Sequence, residues 1–230
     1  MAENKVNKAV VCPACGEMGK AEIFTSVNVT AHPSFRDRVL EGGLFDWTCL
    51  GCGYQARLTY PILYNDVKNR FMVYLIPKID RFQLCDKALE EKYAHVRNIS
   101  KRVVPDFNAF KEKIFIFESR LDDMAVELTK VAISQTVAKK LGGVEVADGY
   151  LSMYDSENNT MGFTYFTGEE RTPYVQTARL EIYGKSREIV DQFAAKDKRL
   201  RGFIKIDKEW AENILYRYKR AKKIEKLNSQ

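Results

Sequence analysis

Two matched cysteine pairs constrain this chain more than any other feature of its sequence. They are the segments CPACG at 12–16 and CLGCG at 49–53. Two residues separate the cysteines of each pair, so one tight turn can bring both thiols to a metal, and two turns complete a tetrahedral site. Gly16 and Gly53 follow where the chain must turn sharply, at a positive φ that glycine accepts readily. The predicted metal ligands are Cys12, Cys15, Cys49 and Cys52.

Other chemistries also use paired cysteines. Disulfides need an oxidising compartment, and residues 1–8 are polar and charged, unlike a secretory signal, so we expect a cytoplasmic protein. A redox C-x-x-C pair normally occurs once, without a matched second pair. Iron bound as in rubredoxin stays open, but we favour structural zinc (Zn²⁺) because no other role for the site is evident. We interpret Cys85 as a small buried hydrophobic residue.

The positive charge of the chain is concentrated at one place. Residues 217–226 carry six basic side chains against the single acid Glu225, which is +5 of the net +6. These candidate contacts for phosphate or an acidic partner are Arg217, Lys219, Arg220, Lys222, Lys223 and Lys226. The alternative is a solvated helix end, where basic residues are favoured by the helix dipole. Residues 1–80 hold nine Lys and Arg against eight Asp and Glu, too balanced for a ribbon that grips nucleic acid by itself.

The composition supports a folded protein without a membrane-spanning segment. Hydrophobic residues make up 45% of the chain and aromatic residues 12%, enough for a substantial core. No apolar run approaches the ~20 residues that cross a bilayer, so we expect no membrane partner.

The predicted fold class is α+β, in three regions. Residues 1–80 are predicted to form a zinc-ribbon-like β domain with a helix inserted between the cysteine pairs. The predicted strands are 21–30, 44–48, 54–60 and 71–76, and the helix is 33–41, ended by Gly42-Gly43. Asn65-Asp66 and Asn69 are typical of a turn between the last two strands.

The remaining regions are a helical connector at 81–142 and a small antiparallel α+β region at 143–230. In the connector, 86–95 is weakly helical, 96–104 is extended, and 106–119 and 122–141 are predicted to form a helical hairpin. In the last region the predicted strands are 150–154, 161–167, 177–183 and 203–206. Two further helices are predicted, one capped by Ser186 and running to about Lys196, and a basic terminal one capped by Asp207.

These residues together resemble a known family. The features that match are the CPACG start, Val27-Asn28, the helix into Gly42-Gly43, the second cysteine pair, Pro61–Tyr64 with Asp66, and the segment 121–130. They resemble the CpXC domain family of bacteria and archaea over about residues 10–140, with a weaker likeness at 206–211. One departure is Leu50, where proline is common. The resemblance implies the zinc-ribbon-like fold and the four-cysteine metal site, and it implies no activity.

The sequence offers little material for catalysis. His32 and His95 are the only histidines, and no glycine-rich phosphate loop or nucleophile elbow is present. We interpret His32 as a surface residue, the aromatic residues of 150–183 as core, and the acids Glu118, Asp122, Asp123 and Glu127 as helix-capping or solvated groups. The alternative for the acids is a catalytic or second-metal cluster, and the alternative for the aromatic residues is a platform that stacks single-stranded nucleic acid. We therefore expect a non-enzymatic recognition module with a protein partner. The alternatives are an enzyme with its active site in the C-terminal α+β region and a nucleic-acid-binding protein that uses the basic tail.

Overall fold

The chain folds into two compact units. The computed structural model describes residues 4–77, 91, 93 and 96–228. The first unit comprises Met1–Lys111 with Arg201–Phe203, and the second comprises Glu112–Leu200 with Ile204–Gln230. The sequence-based boundaries after residues 80 and 142 stay predictions. Within the described residues, no helix combines the length and the apolar character needed to cross a membrane.

The first unit is built on a five-stranded sheet of mixed direction. Its strands are β1 (Asn4–Val11), β2 (Met18–Asn28), β5 (Ile62–Asp66), β6 (Phe71–Leu75) and β7 (Ser100–Val104). Their order across the sheet is β1-β2-β5-β6-β7. The β1/β2 and β5/β6 pairs are antiparallel, whereas β2/β5 and β6/β7 are parallel. The predicted weak helix at 86–95 lies largely outside the described residues, as does Cys85.

Two strands of this sheet were not predicted. Residues 4–11 lack an apolar pattern because β1 is an edge strand that stays exposed along nearly all of its length. Ile62–Asp66 is buried at every position, so it shows no alternation, and Asn65-Asp66 belongs to the strand instead of the predicted turn. The turn follows Asp66, whose carboxylate accepts a hydrogen bond from the Asn69 backbone N–H at 3.0 Å.

The inserted helix forms where the sequence predicts it. Helix α1 (Ser34–Glu41) buries Phe35 and Val39, and Gly42 ends it at a φ of 90°. A short antiparallel ribbon of β3 (Asp46–Thr48) and β4 (Gln55–Arg57) follows and carries the second cysteine pair between its strands. Each cysteine pair therefore lies on the connection within one antiparallel strand pair, β1/β2 for the first and β3/β4 for the second.

Helix α3 organises the second unit. Helices α2 (Phe107–Glu118) and α3 (Asp123–Lys140) match the predicted ranges within a residue at each end. Asp122 caps α3 by accepting the backbone N–H of Met124 and Ala125. One side of α3, including Val126 and Ile133, packs in the same cluster as Leu151, Met161, Phe163 and Tyr165 of the neighbouring sheet. Another side, including Met124 and Leu128, packs in a second cluster with Val190 and Ile214. These clusters bury α3 on two sides.

The sheet of the second unit has three antiparallel strands. They are β8 (Val146–Asp155), β9 (Thr160–Thr167) and β10 (Thr172–Arg179), in the order β10-β9-β8. Phe163 and Tyr165 are buried in its core, as predicted. Helix α4 (Leu180–Phe193), a 3-10 turn (Asp197–Arg199) and helix α5 (Lys208–Asn228) complete the unit.

The predictions for residues 177–196 were wrong in two respects. The strand ends at Arg179, and Leu180 already begins α4, so Ser186 lies inside the helix and does not cap it. The Ser186 hydroxyl donates to the Ile182 carbonyl and accepts from the Thr129 hydroxyl of α3 at 2.8 Å. The alternation that suggested a strand is short, whereas Val190 and Ala194 follow at helical spacing and pack in the same cluster as residues of α3.

Candidate metal centre

The first cysteine pair lies on the turn that joins β1 to β2. The Cys12 backbone N–H donates to the Glu17 carbonyl, and the Gly16 N–H donates to the Cys12 carbonyl, both at 2.9 Å. Gly16 has a φ of 74°, in the left-handed region where a Cβ would be strained. The turn thus holds the Cys12 and Cys15 sulfurs within 4.8 Å of each other.

The second pair repeats this turn between β3 and β4. The Cys49 backbone N–H donates to the Tyr54 carbonyl at 2.8 Å, and the Gly53 N–H donates to the Cys49 carbonyl at 2.9 Å. Gly53 also has a φ of 74°. Two separate segments therefore adopt one hydrogen-bonding pattern, as the matched glycines predict.

The structure brings the four cysteines together. The Cys12 and Cys52 sulfurs lie 3.6 Å apart and the Cys15 and Cys49 sulfurs 3.7 Å apart. All four sulfurs lie within 4.8 Å of one another. Zn–S bonds of about 2.3 Å in a tetrahedron imply sulfur–sulfur separations of about 3.8 Å. A disulfide would need about 2.05 Å. The cluster can therefore hold one metal ion, and no disulfide links these free cysteines.

Backbone hydrogen bonds and neighbouring sulfurs set the acidity of the thiols. At Cys12, desolvation by burial acts to raise the pKa, but the backbone N–H groups of Cys15 and Ala14 lower it, and the pKa falls to about 7. At Cys15, the backbone N–H of Glu17 acts to lower the pKa, but the sulfur of Cys52 and desolvation by neighbouring atoms together raise it to about 12. Sulfurs this close cannot all ionise easily in the free protein, and a divalent cation removes that repulsion.

A small apolar cluster supports the site. Cys12 and Cys49 are buried with Ala21 and Trp47, whereas Cys15 and Cys52 are exposed. The Trp47 indole N–H donates to the Lys20 carbonyl at 3.2 Å. A Cβ at Gly19 would lie 2.9 Å from the Trp47 ring, so glycine lets the ring pack against β2. Because the cluster is small and β3 and β4 have three residues each, hydrophobic burial alone gives this ribbon little stability.

Large exposed apolar residues lie close to the cysteines in the sequence. Val11, Met18, Leu50 and Tyr54, which we name the knuckle patch, are 61%, 72%, 99% and 41% exposed. Val11 and Met18 are paired residues of β1 and β2. A Cβ at Gly51 would overlap the Glu17 carboxylate, so the second turn lies against the residue that precedes Met18.

The six basic candidates share one element, α5 of the second unit, and all are exposed. Lys222 pairs with Glu225 at 2.8 Å. His32 is exposed, as predicted, whereas His95 lies outside the described residues.

The acids interpreted as capping or solvated groups divide into two kinds. Asp122 caps α3, as predicted, and also pairs with Lys198 at 2.8 Å. Asp123 and Glu127 are buried, so the prediction of a solvated glutamate was wrong for Glu127. The Lys113 ammonium lies 3.2 Å from Asp123 and 3.7 Å from Glu127.

This buried network continues through residues that sequence reasoning missed. The Lys130 ammonium lies 3.0 Å from both Glu112 and Glu127, and the Glu112 carboxylate also accepts the Leu151 backbone N–H at 2.6 Å. Burial raises the pKa of Glu127 despite the opposing charges of Lys130 and Lys113. Acidic and lysine side chains alternate in space through this network, so each buried charge lies beside a group of opposite charge. The sequence feature that could have predicted this network is the presence of charged residues in helices that carry apolar residues on several sides.

Comparison with known proteins agrees with the site. Neither a curated protein nor a solved structure gave a match. The family model described as "CpXC protein" matches residues 10–130, more than half of the chain and including both cysteine pairs. Within the described residues, the four cysteines are also the only group of three or more His, Cys, Asp or Glu side chains arranged to hold a metal ion. The chain belongs to the CpXC protein family.

Proposed function

We propose that this protein binds one zinc ion through Cys12, Cys15, Cys49 and Cys52 and that the metal is structural. Four sulfur ligands fill a tetrahedral shell, so no coordination position is left for water or a substrate. Iron in the same four-sulfur setting is the alternative metal. Elemental analysis separates the two, and so does visible absorption, because zinc is d¹⁰ and redox-inactive.

The metal-supported ribbon then serves recognition of a protein partner, without catalysis. The observation that supports this function is the exposure of the knuckle patch, with Leu50 almost fully accessible. Grouped exposed apolar residues mark interaction sites more often than single ones do. The region around the patch carries nearly balanced charge, with nine Lys and Arg against eight Asp and Glu in residues 1–80. That balance favours an apolar protein surface over phosphate as the target.

Affinity capture from the native cell tests this role. The bait is the full chain, compared with a Met18→Ser, Leu50→Ser variant that removes apolar area and leaves all four cysteines. The matched control is Val175→Ser, Leu200→Ser, at two exposed apolar residues of the second unit. Lysates are used with and without nuclease treatment.

We expect wild type and control to retain the same proteins after nuclease treatment and the patch variant to lose them. Each bait must contain the same amount of zinc. Loss of a partner can then be attributed to the changed surface and not to a loss of folded structure. An unchanged protein set for the patch variant, or loss of every partner on nuclease treatment, would refute recognition by this patch.

A further inference from the structure

The C-terminal half of α5 extends beyond the core that anchors its first half. Trp210, Ala211 and Ile214 pack in the second cluster of the unit. Tyr218 makes a ring contact with Phe193, with centroids 5.8 Å apart. From residue 219 to 227 every position is exposed except the half-buried Ala221. The last helical turns therefore have a surface that is not buried by packing among the residues that the structure describes.

That surface has one apolar stripe. Tyr216, Ile224 and Leu227 are 65%, 49% and 64% exposed. At 100° per residue they fall within an arc of about 80° of the helix surface. Tyr216 and Leu227 lie away from the side of Ile214 and Ala221, and Ile224 lies nearer to it. The stripe is about 16 Å long at a rise of 1.5 Å per residue. We call it the α5 stripe.

Cations flank the stripe on both sides. Arg217 lies beside Ile224 at one edge, and Lys219, Lys223 and Lys226 lie along the other. Arg220 lies within the stripe, between Leu227 and Ile224. The only acid of 217–226, Glu225, pairs with Lys222. The six basic residues against one acid favour an anionic ligand, and the three exposed apolar side chains favour a ligand with an apolar part. A single ligand must therefore offer both properties.

An anionic phospholipid surface has both properties. Phosphate headgroups attract the flanking cations, and the boundary with the acyl chains accepts the apolar residues while Lys and Arg side chains reach back to the headgroups. Nucleic acid accounts for the cations but not for exposed Ile224 and Leu227 between them. We propose that the α5 stripe and its flanking cations bind the surface of an anionic bilayer. A helix lying on the surface needs no spanning segment, so the absence of a long apolar run does not oppose this role. The inference concerns other residues than the knuckle patch and is independent of the proposed function.

Co-sedimentation of the full chain with vesicles tests the proposal. The vesicles are equal parts phosphatidylglycerol and phosphatidylcholine, with pure phosphatidylcholine for comparison. A charge variant, Arg220→Gln with Lys223→Gln, has a control that loses the same charge elsewhere, Lys139→Gln with Lys185→Gln. An apolar variant, Ile224→Ser with Leu227→Ser, has the control Val175→Ser with Ile182→Ser. All four control positions are exposed residues of the second unit.

We expect binding to anionic vesicles only, weakened by added salt. Each cation removed should cost about fivefold in affinity, so the charge variant should lose roughly 30-fold. The apolar variant should lose about tenfold. Both controls should bind like wild type. Binding that is indifferent to the apolar variant would overturn the proposal, since simple charge attraction would then suffice. The proposal would also be overturned if the protein did not bind anionic vesicles, whether or not it then bound duplex DNA or RNA tightly.

Discussion

Replacing Lys130 with methionine should destabilise the second unit strongly. The Lys130 ammonium lies 3.0 Å from both Glu112 and Glu127, and its side chain is 11% exposed. Methionine fills similar space but leaves Glu112 without a cationic neighbour among these contacts and Glu127 with only Lys113, at 3.7 Å. Removing one partner of a buried pair costs about 3–5 kcal/mol of the free energy of unfolding. Urea denaturation at neutral pH, followed by circular dichroism, measures that loss.

The control is Lys222→Met, which removes an exposed lysine–glutamate pair of the same i,i+3 spacing. It should leave the urea midpoint unchanged, because water screens such a pair. The loss in Lys130→Met should also shrink in acid. Burial raises the pKa of Glu127 above its ordinary 4.5, so its contribution to stability is greatest below that pH and is lost as the pH rises through the folded-state pKa. Without Lys130 this pKa rises further, and protonation then relieves the unpaired charge. Equal losses for the two lysine variants, or a loss independent of pH, would refute the buried network.

Three further predictions test the helix ends and the unit boundary. Asp122→Ala should cost about 1–2 kcal/mol of unfolding free energy, while Asp122→Asn keeps the cap and costs less, as measured by urea denaturation. Gly42→Ala should cost about 1–2 kcal/mol and lower the melting temperature, because the φ is 90° and a Cβ would lie 2.8 Å from the Arg57 guanidinium carbon. A fragment of residues 112–230 should melt cooperatively and a fragment of 143–230 should not, since α3 contributes to both apolar clusters of the unit. A cooperative melt of the shorter fragment would support the sequence-based boundary at 142 instead.

Short-range patterns were enough to predict that the four cysteines come together. The C-x-x-C-G spacing specifies a turn by itself, so the hydrogen bonds at Cys12 and Cys49 follow from five-residue segments. Helix α1 could also be predicted from local sequence, because Gly42 adopts the left-handed conformation that ends the helix.

Features that depend on long-range contacts could not be predicted from local sequence patterns. Leu180–Tyr183 alternates like a strand, yet Tyr183 packs in both clusters of the second unit and belongs to a helix. Lys113 and Lys130 were missed because their acidic partners include residues of another helix, and a buried pair between helices leaves no local spacing to recognise. Both cases show tertiary packing overriding a local pattern.

The metal content of the purified protein tests the central claim most directly. Protein prepared without chelator should contain one zinc per chain and show no iron absorption. Cys49→Ser should lose the zinc and, in hydrogen exchange, the amide protection of β3, β4 and the two cysteine turns, because structural zinc contributes on the order of 10 kcal/mol to such a folded unit. Leu50→Ser, the neighbouring exposed control, should keep both. Wild-type protein without zinc, or a Cys49→Ser variant with unchanged amide protection, would contradict the account.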